Sequence, residues 1–151
     1  MEGPANLRIQ PYAPPRLFTV DEANALLPRL TEIFRRMDPK LARLRELQDL
    51  VEDAETYWHS TGEGMPPDER VRHERLVALL NEARTEMDAE IQQVHALGCE
   101  LKDAYQGLVD FPASIEGNVA YLCWQRGETA VAHWHSLETG FAGRRPLQAA
   151  P

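Results

Sequence analysis

Leu30, Met37, Leu44, Val51 and Trp58 recur at intervals of seven residues, and Ile33, Leu41 and Leu47 fall on the same side of a helix. A seven-residue apolar repeat fits a helix and excludes a strand. Side chains three and four positions apart stack on one side of a helix, whereas a strand changes sides at every residue. The stretch therefore reads as a long amphipathic helix with a coiled-coil-like seam. A second seam follows, in which Leu76, Leu80, Ala83, Met87, Ile91 and Val94 step by three or four while Arg, Glu and Asp take the other faces. Between the two, Ser60 to Pro67 holds Gly62, Gly64 and a proline pair, turn chemistry that folds the runs into an antiparallel helical hairpin.

The ends of these helices are marked. Thr19-Val20-Asp21-Glu22 has the form of a capping box, so helix begins at Val20. Gly98 ends the second helix as a left-handed cap. Pro28 lacks a backbone donor and disfavours helix at Leu27, which places the end or a kink of a first short helix there, with Pro39 interrupting the next stretch in the same way. At 1.5 Å per residue each helix spans about 30 to 45 Å. That is longer than a compact domain needs, so part of the seam is expected to be buried against another chain. The basic run Arg29, Arg35, Arg36, Lys40, Arg43, Arg45 is followed by the acidic stretch Asp49 to Glu55. Its bland reading is a solvated helix face, but the sign change also favours an antiparallel homodimer through the hairpin.

After Gly98 the pattern changes to short runs, Glu100 to Lys102, Leu108 to Phe111, Val119 to Trp124 and Ala130 to His135. Turn residues separate them, around Tyr105-Gln106-Gly107, Glu116-Gly117-Asn118 and Arg126-Gly127, as in a small antiparallel meander. A tight hairpin at Arg126-Gly127 sets Leu122 opposite Val131 and Ala120 opposite His133. Leu122, Trp124, Val131, His133 and His135 then share one face, and Tyr121, Cys123, Ala132 and Trp134 the other. The fold class is α+β. A Pro-rich flexible tail (1–17) precedes one domain (18–147) made of the hairpin (18–98), the meander (99–136) and an irregular tail (137–147), with a disordered end (148–151).

Composition limits the partners. The chain has 151 residues and a formal charge of -8, which argues against nucleic acid and anionic membranes, since phosphate affinity comes from clustered Lys and Arg. Met1 to Arg16 holds several prolines and no apolar run, so neither a signal peptide nor a membrane span is expected there and the cytoplasm is the expected compartment. The two cysteines, Cys99 and Cys123, are expected as free, buried and inert thiols. In the register above, Cys123 faces away from both histidines. Cys99 follows a helix C-terminus, where the dipole disfavours a thiolate.

Chemistry-bearing residues concentrate in the last third. Two imidazoles on one strand, His133 and His135, point to one side and have the ligand types of a zinc or iron site, with Asp110, Cys99, Glu128 or Glu138 completing the shell. The competing reading, and the favoured one, has His135 bonded to a neighbouring carboxylate or carbonyl and holding the tail, with no cofactor. Asp110 sits inside an apolar strand and must be paired or exposed. Asp110, Glu128, His135 and Arg144 accordingly form either a polar pocket for a small ligand or a network pinning the tail to the sheet.

Phe18-Thr19, Glu22-Ala23-Asn24 and Leu26-Leu27-Pro28 near the start, then Gly98 to Asp103, Gly107 to Pro112, Leu122-Cys123-Trp124, Gly127-Glu128, Trp134-His135 and Gly140 to Arg144 carry a resemblance. On these motifs the chain resembles the uncharacterised bacterial proteins grouped as the domain of unknown function 2203 family, from Arg16 to Leu147. The resemblance implies no assigned activity and no ligand residues. With no known catalytic motif in the chain, the leading expectation is a non-enzymatic dimeric interaction or scaffold protein. The alternative is a metal- or small-ligand-binding protein, an enzyme among its forms, with its site around His135 and Asp110.

Overall fold

A computed structural model describes residues 16–147. The Pro-rich segment before residue 16 and the end from 148 lie outside the described residues. Helix α1 spans Val20–Thr61 and α2 spans Pro67–Ala96. The capping box at the start of α1 is complete: Thr19 Oγ1 accepts the Glu22 N–H (3.1 Å) and Glu22 Oε1 accepts the Thr19 N–H (2.9 Å). Gly62 closes α1 at φ 72°, and Pro67 opens α2 at a position where its missing donor costs nothing.

The prolines do not break α1. Pro28 and Pro39 both lie inside one continuous helix of 42 residues, about 63 Å long at 1.5 Å per residue. Each proline costs about 3 kcal/mol in a helix interior. Against this, the opposite side of the same turns buries Leu27, Leu30, Ile33, Phe34, Met37 and Leu41, each worth roughly 1.5 to 3 kcal/mol. Both prolines are exposed, so the carbonyls they leave without a donor are on the hydrated side. Packing therefore outweighs local preference.

The seam is closed largely within the chain. Residues of α1 from Ala23 to Leu41 pack with Met87 and Val94 of α2 and with the inner face of the sheet, while Leu47, Val51, Leu80 and Ala83 form a second cluster between the helices alone. Leu44 is half-buried against both clusters. The one buried helix acid, Glu90, is met by Arg36 (3.2 Å) and Lys40 (2.9 Å). Burial raises its pKa, but these two cations outweigh burial and hold it below the usual range. Among the described residues no helix is long and apolar enough to cross a membrane.

The rest is a five-stranded antiparallel meander in chain order: β1 Glu100–Asp103, β2 Leu108–Ile115, β3 Asn118–Gln125, β4 His133–His135 and β5 Arg145–Pro146. The segment expected as an irregular tail thus returns to add an edge strand. Glu116 (φ 52°) and Gly117 (φ 82°) form the two-residue turn joining β2 to β3, both left-handed as the twist of a tight hairpin requires. This turn sets Asp110 opposite Cys123 and Phe111 opposite Leu122.

The β3–β4 register differs from the expected one. Tyr121 pairs with His135, Leu122 with Trp134 and Cys123 with His133, three positions out of the register of a tight Arg126-Gly127 hairpin. An odd shift exchanges the faces. His133 and His135 therefore share a side with Tyr121 and Cys123, not with Leu122 and Trp124. The cause is a longer loop between the strands, held from both ends. Glu128 Oε1 accepts the Gln125 N–H (2.7 Å), the Glu128 carbonyl accepts the Trp124 indole N–H (2.9 Å), and Asn24 Oδ1 accepts the Val131 N–H (2.7 Å) from the other end of the chain.

Candidate functional site

Strand alternation divides the sheet residues into two sets. Val109, Phe111, Ala113, Leu122 and Trp124 enter the main core beneath the helices. Asp110, Tyr121, Cys123, His133 and His135 point to the opposite, outer face. That face is covered by the chain between β4 and β5. Leu137, Gly140 and Phe141 close a cavity of about 210 Å³ over Asp110, Cys123 and His135, with Leu108, Tyr121 and Lys102 completing its wall.

His135 is 3% exposed and uses both ring nitrogens. Nδ1 lies 2.7 Å from the Ser136 carbonyl oxygen, which only accepts, so Nδ1 carries a proton. Nε2 lies 2.9 Å from Asp110 Oδ2, and one proton is shared between them. Burial pushes the Asp110 carboxyl above the usual carboxylate range, and the His135 contact works in the opposite direction. Cys123 Sγ lies within reach of both Asp110 and Arg144. Burial, helped by the Asp110 charge, pushes its thiol up to about 11 despite Arg144.

Arg144 continues the network outward. It grips Glu128 through both guanidinium nitrogens (3.1 and 2.9 Å) and stacks over the Phe141 ring at 4.6 Å. Burial raises the Glu128 carboxyl, but Arg144 and the Gln125 N–H outweigh it and hold it below the usual range. His133 Nδ1 faces this pair without reaching it: Glu128 Oε2 is 3.7 Å away, and the atom is buried without a hydrogen-bond partner.

The four residues proposed as a pocket, Asp110, Glu128, His135 and Arg144, thus form two pairs bridged by Cys123. The tight-hairpin register separates Cys123 from both histidines; the observed register returns His133 and His135 to the side of Cys123, which the β2–β3 pairing sets opposite Asp110. The His133, His135 and Asp110 combination does not converge as one ligand set. Among the described residues the metal-capable group is instead Asp110, Cys123 and His135, whose donor atoms all lie within 4.8 Å of one another. Cys99 is elsewhere, buried in the main core with its thiol donating to the Val94 carbonyl and also pushed up to about 11 by burial.

The His135 imidazole is committed at both nitrogens, one to a carbonyl and one to a carboxylate, so it is not free to take the Cys123 proton. What the arrangement offers is a small cavity floored by N, O and S donors. No curated protein and no solved structure matches the chain. A family model described as "Uncharacterized conserved protein (DUF2203)" matches residues 16–147, the outer-face residues included, and the chain belongs to that family.

Proposed function

We propose that the protein is a small-ligand-binding protein whose site is the cavity on the outer face of the sheet. The observation that carries this reading is the Asp110–His135 pair, a proton-sharing couple buried at the floor of a partly covered cavity. Burying two ionisable groups costs several kcal/mol unless they are paired, and a packed apolar pair would stabilise the sheet more simply. Its placement under a short covering segment, Leu137 to Phe141, is what a site that admits a ligand requires. The ligand class is a small, largely apolar molecule with one or two hydrogen-bonding groups, matching apolar walls and a polar floor.

An NMR-observed fragment screen on the chelator-treated chain tests this. Hits should shift the amides of Asp110, Cys123 and His135, and Leu137→Trp, at the mouth, should block them. Hits that spare these amides, or survive Leu137→Trp, would sink the reading.

A second reading is the homodimeric, non-enzymatic interaction protein. Leu50, Tyr57 and Val71 stand 42%, 59% and 59% exposed on the distal half of the hairpin, beyond the main core. Sedimentation equilibrium at micromolar concentration tests it, and a monomer of 17.1 kDa overturns it.

A further inference from the structure

We propose that Asp110 Oδ2, Cys123 Sγ and His135 Nε2 are three ligands for a divalent transition ion of the zinc class, whose fourth position opens into the cavity beneath Phe141. The proposal deepens the pocket reading, on which it rests, by naming what the polar floor holds.

Four observations support it. The three donors come from adjacent strands, are buried, and lie within 4.8 Å of one another, so one ion reaches all three once the widest separation closes by up to about 1 Å. Ligand bonds of about 2.0 to 2.3 Å in a tetrahedral site put donors roughly 3.3 to 3.8 Å apart, and the Nε2–Oδ2 pair at 2.9 Å has to open by less than about 1 Å. The His135 Nδ1–H is tied to the Ser136 carbonyl, the outer contact that fixes an imidazole with Nε2 turned to a metal. The donor set is nitrogen, sulfur and a single carboxylate, which suits zinc, cobalt or iron and not calcium or magnesium.

Charge also balances. The ion displaces two protons, the one on Cys123 Sγ and the one shared by Asp110 and His135, while Nδ1 keeps its own. A dication replacing two protons leaves the net charge of the buried site unchanged. Arg144 beside Sγ has its charge met by Glu128 and stays as an outer partner of the thiolate.

Titration of the full chain with cobalt(II), under a phosphine reductant, tests the site. We expect one ion per chain, a thiolate-to-cobalt charge-transfer band in the near ultraviolet, and about two protons released per ion, read by calorimetry in buffers of different ionisation enthalpy. Cys123→Ser should abolish the band with an unchanged circular dichroism spectrum, and Cys99→Ser should keep it. A wild-type chain showing no band at saturating cobalt, or a band that survives Cys123→Ser, overturns the proposal. The fragment screen on chelator-treated protein reports separately. Fragment binding without a cobalt band removes the ion and keeps the pocket, and a cobalt band without fragment binding does the reverse.

Discussion

Glu128 and Arg144 meet fork to fork, with both guanidinium nitrogens on both carboxylate oxygens at 3.1 and 2.9 Å. The pair joins the β3–β4 loop to the segment that covers the cavity. Charge-assisted bonds of this geometry are worth about 1.5 to 3 kcal/mol when partly buried. Glu128→Gln keeps the shape and an oxygen for the Gln125 N–H but removes the charge. Amide hydrogen exchange from Gly140 to Leu147 should therefore quicken, and unaltered protection there would show that the pair does not hold the cover.

The same pair sets a pH dependence. The Glu128 pKa is lower when folded than its ordinary 4.5, so its contribution is present above that value and lost as the pH falls through the folded-state value. Melting temperature should drop more steeply below pH 4.5 in the wild type than in Glu128→Gln. Parallel curves would refute the assignment.

Both thiols should be silent in the native chain. Raised from 9.0 to about 11, each holds roughly a hundredfold less thiolate than an ordinary cysteine at the same pH. A chromogenic disulfide reagent at pH 8 should react slowly until denaturant is added, then titrate two thiols per chain. Rapid labelling of Cys123 in the folded protein would mean that the cavity cover opens freely.

Pro28→Ala should stabilise. The helix already continues through this exposed position, so restoring the missing N–H returns part of the proline penalty, about 1 to 3 kcal/mol, without disturbing the buried side. A lower melting temperature would mean that the proline has a packing role of its own.

Gly107→Ala should do the opposite. Gly107 has φ 70°, and a Cβ there would stand 2.5 Å from the Arg126 Cβ, while its carbonyl accepts the Arg126 N–H at 2.8 Å. Backbone strain and the clash together should cost more than about 1 kcal/mol, and the Arg126–Asp38 pair, which ties the start of the β3–β4 loop to α1, should loosen with them. An unaltered denaturation midpoint would be incompatible with this turn.

What the chain order made legible was what local chemistry decides. The Thr19–Glu22 box, the Gly62 and Gly98 helix ends and the two seams follow from residues a few positions apart, and so does the Glu116-Gly117 turn. Asp110 was legible as a residue needing a partner because a carboxylate inside an apolar strand has to be paired or exposed. Two things were not. The helix passes Pro28 and Pro39 because side chains distant in sequence cover its other side. The β3–β4 register depends on Asn24 capturing the Val131 N–H across 107 positions, a bond that no local pattern announces. With the two Glu128 bonds, it holds the loop whose length sets which side of the sheet His135 and Cys123 share.

The second apolar cluster, Leu47, Val51, Leu80 and Ala83, belongs to the two helices alone and touches no strand. The hairpin is therefore adjustable in length. One heptad added to α1 and one to α2 at matching depth, beyond this cluster, would move the tip outward by about 10 Å and bring every seam residue back to its former side. The sheet and the cavity on its outer face would not register the change. Reach and chemistry are thus carried by separate ends of the molecule and can vary independently.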